Sequence, residues 1–178
     1  MRRQGAVVLI MAMAVLSVAA QQQDKSKRPS PPGAAQVNFA DGKKITIDYS
    51  RPSAKGRKIM GGLVPYGAVW RTGANEATLL KTDTDLMIGG TAVPAGSYTL
   101  WTLPSENSWK LIINKQTGQW GTNYDPSQDL ARVDMNVSSL QQPVEQFTIS
   151  FEQKGSDAAQ LNLQWEKTQA SIEVREKK

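Results

Sequence analysis

The sequence predicts an all-β protein, an antiparallel β-sandwich with a jelly-roll-like arrangement of about eight or nine strands. Three observations favour this class: apolar and polar residues alternate in short runs, turn residues separate the runs, and no window keeps a helical period. The first run shows the pattern, since Ile45, Ile47 and Tyr49 alternate with polar neighbours. A period of two over a short run is typical of a strand with one buried face.

The other runs follow in order along the chain. The inward positions they predict are Tyr98 and Leu100; Trp109, Leu111 and Ile113; Val133, Met135 and Val137; Phe147, Ile149 and Phe151; Leu161, Leu163 and Trp165; and Ile172 and Val174. Gly89-Gly90, Pro94-Ala95-Gly96 and Gly155-Ser156-Asp157 favour turns between them. Helix is expected to be limited to a short turn near residues 55–60 or 128–131.

The amino-terminal residues predict export. Arg2 and Arg3 precede an apolar run, Ala6 to Val18, and small residues follow at 18–20, which is typical of a cleaved signal peptide over residues 1–20. An uncleaved anchor is the alternative, although the apolar run is short for a membrane span. Residues 21–35 are rich in Gln, Lys and Pro and are expected to form a flexible leader. Residues 36–178 are then a single periplasmic or extracellular domain, with no stable membrane insertion after cleavage.

Composition excludes several functions. Without Arg2 and Arg3, the chain has 19 basic and 16 acidic residues, which gives a formal charge of +3. This charge is low for a nucleic-acid-binding protein, and we expect no nucleic-acid binding. The chain has no Cys and no His, which excludes disulfides, the usual zinc and copper sites, and nucleophilic machinery that depends on histidine. No cofactor and no metal are expected. A small molecule or a glycan is the expected partner, and the oligomeric state stays open.

Two long segments interrupt the strand pattern, Arg51 to Asn75 and Gln116 to Leu130. Irregular segments of this length in a β protein often carry binding residues, and we expect these two to meet at one end of the sandwich. In the first, Arg71 and Glu76 flank the turn of "WRTGANEAT" and are expected to pair across it. Such a pair is interpreted as architectural, with Trp70 plugging the end of the core. The functional alternative is a polar cluster that holds a sugar-like or carboxylate ligand.

The candidate ligand-binding residues are Arg57, Tyr66, Trp70, Arg71, Asn75, Glu76, Trp120 and Tyr124. No catalytic residue is assigned. The run "RPSAKGRKIMGG", which contains Arg57, lacks the spacing and the following helix of a phosphate loop. Trp109 and Trp165 keep the inward register of their strands, whereas Trp101 is out of phase with Tyr98 and is expected to face the other side of the sheet. Trp120 lies between glycine-containing turns and is expected at the surface.

The segments "DYSRPSAKGRKIMGGLVPYGAVWRTGANEAT", "IGGTAVPAGSYTLWTLP", "WKLIINK", "QWG" and "DLARV" resemble, in order, a family of bacterial exported proteins called domain of unknown function 2911. The likeness covers about residues 36–175. Met60 stands where the family pattern has Phe, which keeps an apolar side chain. The resemblance implies an exported, all-β, single-domain protein and supplies no catalytic residues. It also implies that Arg57, Tyr66, Trp70, Arg71, Asn75 and Glu76 belong to the family pattern.

Two functions fit these observations. The preferred one is a non-enzymatic module that binds a ligand or a partner in the cell envelope, because the chain lacks His, Cys and an evident carboxylate pair. The alternative is a histidine-free hydrolase acting on a glycan or similar polymer through Glu76 and a second carboxylate, Asp48 or Asp125. A carboxylate pair across an open cleft favours the hydrolase, whereas a Glu76 that is buried and fully paired with Arg71 weakens both interpretations of the cluster as a site.

Overall fold

The structure is a computed structural model that describes residues 24–178. The predicted signal peptide, residues 1–20, and the first three residues of the expected leader lie outside this range. The fold is all-β, as predicted. The described residues form nine strands, which are β1 (Pro32–Asn38), β2 (Lys44–Ser50), β3 (Thr78–Thr82), β4 (Leu86–Ile88), β5 (Thr91–Val93), β6 (Gly96–Pro104), β7 (Trp109–Asn114), β8 (Asp129–Gln153) and β9 (Ala158–Glu176). The helical content of the described residues is two short 3-10 turns, Lys25–Lys27 and Pro126–Gln128, and none of these residues forms a helix with the length and apolarity to cross a membrane.

The strands form one antiparallel sheet in the order β1-β2-β3-β6-β7-β8-β9-β4-β5. β8 has 25 residues and joins the two halves, since its first part pairs with β7 and its remainder with β9. Its register with β9 shifts between Ser139 and Val144, and such irregularities bend a strand. The bend brings the second half back over the first, where the Tyr49 hydroxyl of β2 accepts a hydrogen bond from the Ile149 amide of β8 at 2.9 Å. The result is a sandwich-like, two-layered core.

The predicted inward positions fill this core. Trp109 is 2% exposed and Trp165 is 1% exposed, as their strand register predicts. Val137 and Phe151, at the margins, are only partly buried. Each large apolar side chain removed from water contributes about 1.5–3 kcal/mol. With no disulfide available, this packing is the main source of stability.

A second, smaller cluster lies on the other face of the sheet. Trp101 is 2% exposed and packs with Ala77 and Ile112, which confirms that it faces away from Tyr98 and Leu100. Val69 and Tyr124 cover this cluster and come from the two irregular segments. The first segment also packs into the main core, to which it contributes Ala54, Ile59 and Val64, so the outer cluster is only part of its apolar base.

Residues 24–35, which belong to the segment expected to be a flexible leader, form a short 3-10 turn and the start of β1, ahead of the expected domain start at residue 36. Asp24 caps the first 3-10 turn by accepting a hydrogen bond from the Ser26 amide at 3.1 Å. β1 begins at Pro32 and pairs in register with β2, Pro32 opposite Ser50. The segment was expected to be disordered because its sequence has no regularly spaced apolar residues that could form a buried face. Its backbone nevertheless pairs with β2, and main-chain hydrogen bonds do not require apolar side chains.

Candidate functional site

The turn in "WRTGANEAT" uses a backbone conformation that few residues adopt. Thr72 has φ 52° and Asn75 has φ 58°, with Gly73 at φ 149° between them. A left-handed β-branched residue costs on the order of 1–3 kcal/mol and persists only where its surroundings hold it. Thr72 is fully buried, and its carbonyl accepts a 2.7 Å hydrogen bond from the Thr78 hydroxyl. The two sides of the turn are therefore fixed relative to β3.

The two irregular segments meet here, as predicted. Glu76 and Trp120 form an isolated antiparallel bridge, and the Gly121 amide donates to the Asn75 carbonyl at 2.8 Å. At Gly121 the approach is so close that a Cβ would lie 2.7 Å from the Asn75 oxygen and 2.8 Å from Cδ of Arg71. Glycine at this position lets the Arg71 side chain lie across the junction.

Arg71 and Glu76 do not pair, which corrects the expected bridge across the turn. Glu76 instead accepts hydrogen bonds from Nη1 of Arg28 at 3.0 and 2.9 Å, and Nζ of Lys25 lies 3.1 Å from its Oε1. Nε of Arg71 donates to the Gly73 carbonyl at 3.3 Å. The pairing was wrong because the left-handed turn separates the two side chains and a distant segment supplies the cations.

Glu76 is an ionised carboxylate. Burial raises its pKa, but hydrogen bonds from its own amide, from Arg28 and from Lys25 outweigh burial and lower the pKa to about 2. The side chain is 40% exposed, so solvent screens part of this attraction. A carboxylate in this state does not hold a proton at neutral pH and cannot act there as a general acid.

Asn75 and Glu76 together anchor the residues that precede β1. Nδ2 of Asn75 donates to the Ser30 carbonyl at 3.1 Å and to the Ser50 hydroxyl at 3.2 Å, while Glu76 holds Arg28. We call residues 24–31 the N-terminal strap. Asn75 and Glu76 therefore connect the strap to β2 and to the turn, whereas the pair interpreted as architectural from the sequence was Arg71 with Glu76.

Replacing Glu76 by glutamine is expected to lower the free energy of unfolding by on the order of 1 kcal/mol at pH 7, the upper end for a solvent-screened pair. The folded-state pKa lies below its ordinary value of 4.5, so the stabilisation is complete above about pH 4.5 and is lost as pH falls towards 2. Urea denaturation of both proteins across this range measures it. Glu106→Gln, at an exposed turn position, is the control. Equal stability of E76Q and the parent protein at pH 7 contradicts the anchoring role.

Four of the eight candidate residues line one cleft of about 460 Å³, which we call the arginine cleft. Arg57, Trp70, Arg71 and Tyr124 form its walls, with Leu63 beside them. Trp70 is held by reciprocal main-chain hydrogen bonds with Thr102, at 2.7 and 3.0 Å. Its ring stacks on Trp165 at 5.8 Å, so it also closes the end of the core, as predicted.

Neither arginine of the cleft lies within 4.0 Å of a carboxylate among residues 24–178. Arg57 donates to the carbonyls of Ala54 and Ser53, at 3.0 and 2.7 Å, and Arg71 donates to that of Gly73. Within the same range, the terminal nitrogens of Arg71 make no hydrogen bond. The cleft therefore presents two positive charges with unused donors.

Tyr124 is oriented by a second charged pair. Its hydroxyl donates to Oδ2 of Asp129 at 2.7 Å and accepts from Nη2 of Arg132 at 2.9 Å. Burial, followed by the nearby Asp129 carboxylate, raises the pKa of Tyr124 to about 12. The phenol therefore stays neutral and fixed, with its ring 4.9 Å from Trp101.

A second cavity, of about 430 Å³, lies on the other side of the junction, and we call it the strap cavity. It contains Glu76 and also Asp48, one of the two carboxylates considered for a hydrolase. Its other polar lining residues are Lys25, Arg28, Ser50 and Gln119. Sequence reasoning missed the two cations because their charges stood in the expected leader, and no local pattern links them to Glu76.

A family model described as "Protein of unknown function (DUF2911)" matches residues 30–174. The chain belongs to this family. The matched region of this DUF2911 protein includes Arg57, Trp70, Arg71 and Tyr124, and it begins after Lys25 and Arg28. No curated protein and no solved structure matches the chain.

The remaining candidates of the DUF2911 protein lie outside both cavities. Tyr66 is 39% exposed and lines a separate depression of about 200 Å³ with Glu106 and Ser138. Trp120 is 45% exposed on the surface of the second irregular segment, as predicted for a residue between turns. The described residues hold no group of three or more acidic side chains arranged for a metal ion.

Proposed function

We propose that this DUF2911 protein is a non-enzymatic binding module that holds a carboxylate-bearing ligand, such as an acidic sugar, in the arginine cleft. One observation carries the proposal. Arg57 and Arg71 line a single cleft together with Trp70 and Tyr124, and neither arginine has a carboxylate partner in the described part of the chain.

The chemistry of the cleft fits such a ligand. A guanidinium binds a carboxylate through two parallel N–H donors, and the terminal nitrogens of Arg71 are free to do so. Aromatic rings such as Trp70 and Tyr124 offer apolar area to the face of a sugar ring. A volume of about 460 Å³ lies within the range of small-molecule sites, roughly 300–1,000 Å³.

A hydrolase is the second candidate, because Asp48 and Glu76 line the same strap cavity. Glycoside hydrolysis needs one carboxyl that carries a proton near the working pH and one that does not. Glu76 has a pKa of about 2 and two cationic partners, which suits neither a general acid nor a free nucleophile. Release of reducing ends from acidic polysaccharides by the parent protein, abolished in both E76Q and Asp48→Asn, is the result that favours the hydrolase.

The proposed site of action is the periplasm or the extracellular space. Residues 1–20 support this through their charged start, apolar run and small residues before Gln21. The proposed partner is a glycan or a small molecule of the cell envelope, and no nucleic-acid partner is proposed.

Replacing Arg71 by glutamine is expected to weaken binding of an acidic sugar about 10- to 100-fold, because a hydrogen bond to a charged group is worth about 1.5–3 kcal/mol. Thermal shift with galacturonic acid, glucuronic acid and their oligomers finds the ligand, with neutral galactose and glucose oligomers as ligand controls. Trp70 lines the cleft, so tryptophan fluorescence provides the affinity.

Arg175→Gln is the matched control protein, since Arg175 is 50% exposed and lies on β9 away from the cleft. It is expected to bind as the parent protein does. Equal affinity for the acidic and the neutral oligomers, or unchanged affinity in R71Q, contradicts the proposed anion site.

A further inference from the structure

We propose that the strap cavity is a second binding site, for a small zwitterion with an apolar substituent, of the chemical class of the apolar α-amino acids. Its lining combines a carboxylate that has no cationic partner in the described part of the chain, two cations that share one other carboxylate, and an apolar surface, in one cavity of about 430 Å³. The site is separate from the arginine cleft and does not depend on the function proposed for that cleft.

The acidic side chains of the lining are Asp48 and Glu76, and Glu76 is already paired with Lys25 and Arg28. Asp48 is exposed on β2 and has no cation within 4.0 Å in residues 24–178. Its carboxylate is therefore the group of the lining with which a ligand ammonium can pair.

The positive part comes from the strap. Lys25 and Arg28 share the single carboxylate of Glu76, so one positive charge remains uncompensated at that pair. The Lys25 side chain is 55% exposed and its ammonium has further donors beyond the contact with Glu76. A ligand carboxylate bound at Lys25 neutralises this charge without displacing Arg28 from Glu76.

The rest of the lining is largely apolar, with Pro32 of β1, Tyr49 near the end of β2, Ala77 just before β3 and Leu79 in β3. Opposite charges beside an apolar surface match a molecule that carries an ammonium, a carboxylate and a hydrocarbon side chain. A ligand with only one of the two charges leaves either Asp48 or the strap cation unpaired.

A ridge of three chain segments separates this cavity from the arginine cleft. Arg28, Glu76 and Gln119 line the strap cavity, and their near neighbours Ser30, Ala74 and Gly121 line the cleft. Main-chain hydrogen bonds from Ala77 to Gln119, at 3.1 Å, and from Gly121 to Asn75 hold the ridge together. Binding at the two sites can therefore be measured separately.

The test is calorimetric titration of the full protein with leucine, valine and phenylalanine, followed by N-acetylleucine and leucinamide. N-acetylleucine lacks the ammonium and leucinamide lacks the carboxylate. At least one free amino acid is expected to bind, and each single-charge analogue of leucine is expected to bind at least about tenfold more weakly than leucine. Absence of binding by all three amino acids, or equal affinity for leucine and N-acetylleucine, overturns the proposal.

Two variants locate the site, and both positions are exposed enough to leave folding intact. Asp48→Asn removes the ammonium partner and Lys25→Gln removes the carboxylate partner, and each is expected to weaken amino-acid binding about tenfold or more. Asp134→Asn and Lys27→Gln are the matched controls, the latter on the same strap with a side chain 84% exposed and outside the cavity. Arg71→Gln is expected to leave this binding unchanged. Parent-like affinity in Asp48→Asn, or loss of binding in Arg71→Gln, contradicts the proposal.

Discussion

Replacing Trp165 by alanine is expected to lower the free energy of unfolding by about 3–5 kcal/mol, as for other large aromatic residues removed from a core. Trp165 is 1% exposed, stacks on Trp70 at 5.8 Å and lies 5.8 Å from the Phe147 ring. Its Nε1 also donates to the Glu145 carbonyl at 3.1 Å, which links β9 to β8. A loss of this size is a large part of the 5–15 kcal/mol that stabilises an ordinary domain.

Urea denaturation monitored by circular dichroism measures the loss for Trp165→Ala. Trp120→Ala removes the same side chain from a position that is 45% exposed, and it is expected to lower the free energy of unfolding clearly less than Trp165→Ala does, because less apolar surface returns to water. The loss of stability in Trp165→Phe should lie between those of Trp165→Ala and Trp120→Ala, since phenylalanine keeps an aromatic ring in contact with Trp70. Equal losses at positions 165 and 120 contradict the core described above.

Replacing Gly121 by alanine is expected to lower the free energy of unfolding by about 1–3 kcal/mol. It is also expected to weaken ligand binding in the arginine cleft as strongly as Arg71→Gln does. The new Cβ would lie 2.7 Å from the Asn75 carbonyl oxygen, which belongs to the backbone and cannot move freely. It would also lie 2.8 Å from Cδ of Arg71. Relief of these contacts separates the two irregular segments and shifts the guanidinium.

The control for Gly121→Ala is Gly155→Ala, where a Cβ meets no atom within 4 Å and the backbone is not left-handed. The free energy of unfolding of Gly155→Ala is expected to stay within about 0.5 kcal/mol of that of the parent protein. Midpoints in urea and affinities for the acidic sugar are compared for both variants. A Gly121→Ala protein with parent-like stability and parent-like affinity rules out a required close approach at the junction.

Several features of the fold and the site could be predicted because each leaves a local pattern. Alternation identified the inward faces of the strands, and a shift of one position was enough to place Trp101 on the opposite face. Two long breaks in the alternation located the segments that meet at Glu76 and Trp120. Four candidates, Arg57, Trp70, Arg71 and Tyr124, share a cleft because the two segments are joined at this junction.

Other features leave no local pattern. Glu76 pairs with Arg28, 48 positions earlier in the chain, and nothing in either neighbourhood specifies the other. The strap was expected to be flexible because its composition is polar and rich in proline, yet Asn75, Glu76 and the pairing of β1 with β2 hold it. The bend in β8 likewise depends on a register shift against β9, which only the paired strands reveal.

By itself, the sequence determined the fold class, the buried faces and the chemistry that is unavailable without histidine or cysteine, since periodicity and composition are properties of short stretches. Only the tertiary structure decided the partner of Glu76, the division of candidate residues between two cavities, and the lack of a carboxylate partner for Arg57 and Arg71 among residues 24–178. The reason is physical. An ion pair or a cavity wall forms between groups that are distant in the chain, and their distance is set by how the sheet folds back on itself.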